Sequence, residues 1–299
     1  MTRRDVLAGT FATALSAAAA PAPQFVKGIC SVAFPKELPV GERITRAKDA
    51  GFDAIELTVG PDFPLDINHD DARRLADAAD KSHIQIATLW VSEPLLQHPL
   101  NAPDPADRAK GAAVIRRGIE IAHDLNCGAL LLYAVRLGRG AKLDVGSQET
   151  WDRYSAALKT VLPDAQRAKV LLNPENVWNK FLLSPLEMRS FVDQFQSPWV
   201  GAHFDVGNCL LYGYPEDWIL TLGSRIKRVH MKDFKLAARG EAAHFADLLE
   251  GDVNWKAVMA ALVKVGYRGF LSPEIEHNSA QPDQLKQISL AMDKILAMA

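Results

Sequence analysis

The sequence predicts an α/β protein with a single (β/α)8 barrel over residues 23–299. From Phe25 onward, short β-prone apolar runs alternate with amphipathic helical segments about eight times, which is typical of a parallel sheet built from βα units. The first run is not followed by the Gly-rich phosphate turn that an open doubly wound sheet would carry there. A barrel of about 250 residues in one domain also suits the length of the chain.

The first half of the barrel is predicted to contain four strands and three helices. The strands lie at 25–34, 54–57, 84–90 and 129–133, and the helices at 44–50, at 69–81 and from 105 to just before Gly128. Asp104 as N-cap and Pro105 at the first helical position define the start of the longest helix. Residues 138–146 are predicted to form a loop, because they are rich in Gly and charge and have no apolar period.

The second half repeats the alternation. Its strands are predicted at 170–175, 199–204, 226–231 and 270–275, and its helices at 150–168, from 184, at 216–222, from 254 and at 284–298. Ser184 and Glu187 form a capping box, and Asn254 caps a helix that Gly266 ends. The long connection after the seventh strand, up to Asp252, has no predicted element.

The N-terminus differs in kind from the rest of the chain. Arg3 and Arg4 precede a weakly apolar, Ala-rich run that ends before Pro21, a pattern that resembles a twin-arginine export signal. The run is shorter than the roughly 20 residues that span a bilayer and is followed by small residues suited to cleavage. We therefore expect residues 1–22 to be a signal, and the protein to reach the periplasm without a stable membrane anchor.

Charge and cysteine content exclude several classes of function. The chain has 34 Lys+Arg against 36 Asp+Glu and no basic cluster, so nucleic acid is excluded as a partner. Cys30, Cys127 and Cys209 are odd in number and lack CxxC spacing, which indicates small core residues rather than a disulfide framework or a zinc knuckle. No interface is legible in the pattern, so homo-oligomer formation is left open.

Four successive predicted strands end in polar residues, namely Glu175, Asp205, His230 and Glu274. Strand C-termini in a barrel all face one rim, so these side chains are expected to meet. A carboxylate within an apolar strand is costly unless it is paired or bound to a cation. Three carboxylates and one imidazole form a ligand set for a divalent ion.

Each of these residues also has an alternative explanation. Glu175 can pair with a neighbouring cation, Asp205 can cap the next helix, and His230 can be a hydrogen-bonded core imidazole. Glu276 or His277 can replace Glu274 in the site. The coincidence of four such residues at equivalent strand ends favours the metal site over four separate explanations.

Six segments carry a resemblance to a known family. They are GFDAIE at 51–56, PEN at 174–176, FDVGN at 204–208, VHMKD at 229–233, EGDVNW at 250–255 and GYRGFLSPE at 266–274. In this order they resemble the sugar phosphate isomerase/epimerase superfamily with the xylose isomerase-like barrel, and the FDVGN form is most similar to its pentulose-phosphate 3-epimerase branch. The resemblance covers nearly everything after residue 22.

The resemblance implies that Glu175, Asp205, His230 and Glu274 bind one divalent ion, commonly Mn²⁺, with Mg²⁺, Co²⁺ or Zn²⁺ as alternatives. It also implies that Glu175 and Glu274 are catalytic and carry protons. Asn208, and Ala242 near His244, depart from the richer histidine set of the three-zinc barrel endonucleases, so a single-metal site is expected.

These residues together predict a metal-dependent epimerase or isomerase of an unphosphorylated keto sugar or a related polyol. The ion polarises a carbonyl, and the two Glu exchange a proton with the adjacent carbon through an enediolate. Lys232 is a candidate for stabilising the developing oxyanion. The candidates for substrate contacts are Glu56, Trp90, Asn176, Trp178, His203, Asn208 and Lys232.

Three alternative functions remain at this point. A lyase acting on a 3-keto-glycoside would use the same metal and base but release an aglycone. A phosphodiester hydrolase of the barrel endonuclease type would need two or three metal ions and would exchange no carbon-bound proton. A non-catalytic sugar-binding barrel would bind its ligand regardless of metal.

Overall fold

The computed structural model describes residues 25–139, 141–238 and 240–299, and the predicted export signal at 1–22 lies outside them. The strands in chain order are β1 Val26–Lys27, β2 Ala54–Thr58, β3 Gln85–Trp90, β4 Ala129–Leu132, β5 Gly138–Arg139, β6 Lys142–Leu143, β7 Leu171–Pro174, β8 Ala202–Asp205, β9 Ile226–Met231, β10 Asp233–Lys235, β11 His244–Ala246 and β12 Phe270–Pro273. The α-helices are α1 Val40–Asp49, α2 His69–Lys81, α3 Ser92–Gln97, α4 Pro105–Asp124, α5 Ser147–Ala168, α6 Pro185–Asp193, α7 Val206–Cys209, α8 Pro215–Leu222, α9 Trp255–Lys264 and α10 Gln284–Leu296.

Eight of the strands close into the predicted barrel. They form two parallel four-stranded sheets, in the order β1-β12-β9-β8 and β2-β3-β4-β7. Parallel bridges join the two sheets at both seams, from Cys30 to Glu56 and from Glu175 to His203. The barrel fold is therefore confirmed, and the C-terminal ends of all eight strands face one rim.

Apolar faces of the outer helices bury the outside of this barrel. Helices α4 and α5 contact each other and lie against β4 and β7, with Ile115, Ile119, Leu158 and Val161 buried. The predicted helix starts are confirmed where a side chain caps the backbone, because Asp104 accepts from Ala106 N and Asn254 accepts from Ala257 N. The capping box of α6 is also present. No helix within the described ranges is long and apolar enough to cross a membrane.

The first strand is shorter than predicted. Only Val26–Lys27 form β1, followed by a bridge at Cys30, and residues 31–33 turn into a 3-10 helix. Gly28 lies so close to Ser272 that a Cβ built there would be 2.4 Å from the Ser272 Oγ atom. The apolar residues after Cys30 are therefore buried in a turn at the rim and do not extend the sheet.

Two predicted loops contain short antiparallel hairpins. Residues 138–146 form β5 and β6, and the connection after β9 forms β10 and β11. The sixth barrel strand was predicted at 199–204 but lies at Ala202–Asp205, where Asp205 at once caps the short helix α7. The short helix α3, after β3, was not predicted. All of these differences lie between the barrel elements and leave the barrel topology unchanged.

Candidate active site

The strand ends bring the four predicted ligand residues together, and we call Glu175, Asp205, His230 and Glu274 the ligand group. One ligand atom of each lies within 4.8 Å of the corresponding atoms of the others. His230 Nδ1 is 3.0 Å from Glu175 Oε1, 3.0 Å from Glu274 Oε2 and 3.9 Å from Asp205 Oδ2. The parallel register, which pairs Asp205 with His230, places these side chains at the same height in the barrel.

The two carboxylate oxygens of Asp205 lie in different surroundings. Its Oδ1 atom accepts a 2.7 Å hydrogen bond from Asn208 N and so caps α7. Its Oδ2 atom is buried and has no hydrogen-bond partner in the described part of the chain. Capping and ligation are therefore not exclusive alternatives for this residue.

Lys232 adds a positive charge to the edge of the ligand group. Its Nζ atom is 2.8 Å from Glu274 Oε2 and 3.2 Å from Asp205 Oδ2. Burial opposes ionisation of Glu274, but the charges and hydrogen bonds of Lys232 and His230 together outweigh it and lower the pKa of this carboxyl to about 2. Glu274 is therefore held as a carboxylate.

Glu175 has the opposite character. Burial raises its pKa to about 7, although the hydrogen bond with His230 acts against this shift. Burial also disfavours the charged form of His230, yet its pKa is raised, because the neighbouring Cys30, the charge of Glu56 and the hydrogen bond with Glu175 favour the imidazolium. The site thus combines carboxyls of different proton affinity around one imidazole.

The ligand group fits a divalent cation. It offers three carboxylates and one imidazole, the donor types that such ions accept. The buried Asp205 Oδ2 atom makes no hydrogen bond in the described ranges and has Lys232 as its ion-pair partner, so it can serve as a ligand atom without losing a hydrogen bond. Cys30, Glu56 and His230 form a second group of ligand types, but Glu56 is already hydrogen-bonded to His230, and burial raises the pKa of the Cys30 thiol.

A layer of polar and aromatic side chains supports His230 from below. Glu56 Oε2 lies 3.2 Å from His230 Nε2 and accepts a 2.7 Å hydrogen bond from Trp90 Nε1. The ring of His203 contacts that of His230, with centroids 3.9 Å apart. Burial and the neighbouring charge of His230 lower the pKa of His203 well below its usual value. Glu56 therefore orients the imidazole whose other nitrogen faces the ligand group, an arrangement common around metal-binding histidines.

Asn176 and Asn208 fix the loop after β7 to the end of β8. Asn176 Nδ2 donates to Asp205 O and its Oδ1 accepts from Asp205 N, both at 2.8 Å. Asn208 Nδ2 donates to Asn176 O at 3.0 Å, and Trp178 Nε1 donates to Asn208 O at 2.9 Å. These bonds hold the backbone of the ligand residue Asp205 in place.

Besides the buried Asn176 and Asn208, the predicted substrate-contact residues divide into two sets. Trp178 and Lys232 lie at the accessible edge of the site. The predicted rim position is wrong for Glu56 and His203, which are fully buried beneath the ligand group, and Trp90 is half-buried beside Glu56. The alternation of a strand turns these side chains into the barrel, where they contact His230. The catalytic and substrate-binding roles of the predicted residues stay predictions.

Two residues of the site region were missed in the sequence. Asp233 is fully buried, and its carboxylate accepts from Phe234 N, Val253 N, Leu249 N and Trp255 Nε1 at 2.9 to 3.2 Å. Its signal was present, since Asp233 and Trp255 stand in two of the recognised motifs. Phe245 lies on β11 against Trp178, and a single aromatic residue in a charged connection gave no signal.

Comparisons with known proteins agree with this arrangement. A family model described as "Xylose isomerase-like TIM barrel" matches residues 44–295. A protein of Escherichia coli strain K12 named "Putative L-ribulose-5-phosphate 3-epimerase SgbU" is 26% identical over 268 residues, covering 87% of this chain and 92% of the relative.

Solved structures show the same fold. An L-ribulose 3-epimerase has a TM-score of 0.74 at 20% identity, covering 92% of this chain and 95% of its own. A D-psicose 3-epimerase studied in the presence of D-fructose has a TM-score of 0.76 at 16% identity, covering 92% and 100%. Because the family model spans most of the chain, the protein belongs to the xylose isomerase-like TIM barrel family.

Proposed function

We propose that the protein is a divalent-metal-dependent sugar epimerase that inverts a carbon next to a carbonyl. One observation carries the proposal: Glu175 and Glu274, from strands on opposite sides of β9 and its neighbour β8, both approach His230 Nδ1 to 3.0 Å. Epimerisation needs a group that removes a proton from one face of a carbon and a group that returns a proton to the other face. Two carboxyl groups converging on one point meet this need.

In this proposal each residue of the site has a separate role in the reaction. Glu274, held as a carboxylate by Lys232, removes the proton, and Glu175, whose pKa burial raises to about 7, delivers one. Lys232 stabilises the negative charge that develops on the substrate oxygen. A divalent ion held by the ligand group supplies Lewis-acid polarisation of the carbonyl when bound. In the reverse direction the two carboxyl groups exchange roles.

The relatives support a ketose as the substrate class, since both the E. coli relative and the solved structures are named as 3-epimerases of ketoses or ketose phosphates. We place the substrate among unphosphorylated keto sugars because the sequence predicts export, and sugar phosphates are metabolites of the cytoplasm. The native ion in this proposal is Mn²⁺.

Proton exchange in D₂O tests this function. The purified protein, loaded with Mn²⁺, is incubated with a panel of ketoses and 3-keto-glycosides, and recovered sugars are analysed for deuterium and configuration. We expect deuterium at one carbon, epimer formation, and loss of both in Glu175→Gln and Glu274→Gln. Release of an aglycone would instead identify a lyase. Unchanged exchange in Glu175→Gln would refute its assigned role.

We also propose that residues 1–22 direct the folded protein to the periplasm. The support is the paired Arg3 and Arg4 before an apolar run with a small-residue end. Fractionation of a bacterial host expressing the full chain tests it. We expect the protein in the periplasm, and the double variant Arg3→Lys, Arg4→Lys in the cytoplasm. Equal distribution of the two proteins would refute the proposal.

A further inference from the structure

Three aromatic side chains form a wall beside the ligand group, which we call the aromatic wall: Trp178, Phe234 and Phe245. Trp178 lies on the loop after β7, and the two Phe lie on the hairpin of β10 and β11. The rings of Trp178 and Phe245 stack with centroids 4.9 Å apart and planes at 16°. Phe234 contacts both rings edge-on, at 5.4 Å and 5.2 Å.

The wall is rigidly supported but open to solvent. Phe234 is buried, and Trp178 Nε1 is fixed by its hydrogen bond to Asn208 O. Asp233 anchors the base of the hairpin through its four hydrogen bonds. Trp178 and Phe245 nevertheless remain 44% exposed each. Open apolar surface of this kind costs free energy in water, which a bound ligand can recover.

Lys232 connects the wall to the ligand group. Its Nζ atom lies 4.9 Å from the centre of the Phe245 ring and, on its other side, 2.8 Å from Glu274 Oε2. The Trp178 ring is linked to the ligand group through Asn208, whose backbone O accepts from Trp178 Nε1 and whose backbone N donates to Asp205 Oδ1. The Phe245 ring is therefore separated from the ligand group by a single ammonium group.

Two features select a ring as the occupant. The exposed parts of two stacked side chains are far smaller than the about 800 Å² per partner that a protein interface needs. The reacting sugar of a keto-glycoside lies at the ligand group, so the ring linked to it, a pyranose with its C–H face or an aryl group, is the part that can stack on the aromatic rings of the wall. The wall thus fits a flat ring better than the remainder of a monosaccharide.

We propose that the aromatic wall is a stacking subsite for a second ring of the substrate, a glycosidically linked sugar or an aromatic aglycone. The substrate class is then a keto-glycoside rather than a free ketose. This inference rests on the proposed function only for placing the reacting carbon at Glu175 and Glu274. Phe245 and Trp178 are the residues that distinguish two-ring from single-ring substrates.

Equilibrium binding of glycosides that lack the keto group tests the subsite without turnover. Isothermal titration calorimetry of the Mn²⁺-loaded protein compares methyl β-D-glucoside, cellobiose and phenyl β-D-glucoside. We expect at least one of the two-ring ligands, cellobiose or phenyl β-D-glucoside, to bind about tenfold more tightly than the methyl glucoside, the size of one good stacking contact. A preference for cellobiose identifies a sugar ring, and a preference for the phenyl glucoside identifies an aromatic aglycone.

Variants locate the effect on the wall. Phe245→Ala and the bulkier Phe245→Leu are expected to abolish the preference, while Leu143→Ala, an exposed apolar residue on the other hairpin, retains it. Circular dichroism checks that each variant is folded. Equal binding of all three ligands by the wild type, or a preference that survives in both Phe245 variants, would overturn the proposal. Absence of deuterium exchange with every keto sugar would instead count against the proposed function, whatever the binding result.

Discussion

Replacement of Glu56 by Gln is the most informative single change outside the ligand group. Glu56 Oε2 faces two donors, Trp90 Nε1 at 2.7 Å and His230 Nε2 at 3.2 Å. A Gln side chain has nearly the same volume, so packing is retained. Its amide has one oxygen and one NH₂ group, and it can serve these donors only through the oxygen and with weaker, uncharged bonds.

The expected effect is a loss of metal affinity through His230. A metal-bound His230 must be neutral, and with Glu56 as its partner it then carries its proton on Nε2, which leaves Nδ1 free to bind the ion beside Glu175 and Glu274. A weaker partner on Nε2 allows the other tautomer, in which Nδ1 carries the proton and cannot ligate. Loss of such an outer partner lowers metal affinity about 10- to 100-fold, which corresponds to about 1.4 to 2.7 kcal/mol.

Calorimetric titration of Mn²⁺ into chelator-treated protein measures this effect. Glu37→Gln, a change at an exposed carboxyl, is the matched control and should bind Mn²⁺ as the wild type does. Urea unfolding of the metal-free proteins shows whether Glu56→Gln also alters the fold. Wild-type Mn²⁺ affinity in Glu56→Gln, with or without lower stability, would refute the assignment of Glu56 as the group that orients His230.

Three further predictions concern stability. Asp233→Asn removes the charge from four hydrogen bonds and turns an NH₂ group toward donors. We therefore expect the free energy of unfolding in urea to fall by about 2 kcal/mol or more, and the β10–β11 hairpin to be cleaved faster by proteases. An unchanged rate of cleavage in the hairpin would contradict this. Gly207→Ala would place a Cβ 2.7 Å from Lys232 O, so we expect the free energy of unfolding to fall by about 1 to 3 kcal/mol and the activity to be lower. The control Gly41→Ala, whose Cβ would have no atom within 4 Å, should stabilise the protein slightly. Mn²⁺ at about 100 times its Kd should raise the free energy of unfolding by about 2.7 kcal/mol, and EDTA should reverse this gain. A melting temperature that neither Mn²⁺ nor EDTA changes would argue against a metal site.

The barrel elements could be predicted from the sequence because their signals are local. The helix α2 at His69–Lys81 lies where a polar helical segment was predicted, and the strand β9 at Ile226–Met231 lies where an apolar run was predicted. Capping residues predicted the starts of α4, α6 and α9. The β10–β11 hairpin could not be predicted in this way. It depends on the contact of Phe245 with Trp178, which is distant in sequence, and on the burial of Asp233.

In the candidate site, too, some features could be predicted from the sequence and others depend on contacts between distant residues. Convergence of the ligand group followed from one rule, that strand ends of a barrel share a rim. The position of Glu56 did not follow, because it depends on which side chain lies across the barrel from it. Its partner His230 is on β9, and β12 and β1 separate that strand from β2 around the barrel. Residues that act through another side chain therefore need the tertiary structure to be identified.

The polar character of the barrel extends one layer below the ligand group. Side chains two positions apart on a strand point the same way, so the strands that carry Glu175, Asp205 and Glu274 inward also carry Asn173, His203 and Ser272 inward. Barrel interiors are usually filled by bulky branched apolar residues, yet these three are fully buried, and their polar side-chain atoms make no hydrogen bond within the described ranges. Such burial costs about 1 to 3 kcal/mol for each group. The layer of Asn173, His203 and Ser272 thus opposes folding. We infer that it is retained because it supports the candidate site, since the ring of His203 packs directly against that of His230.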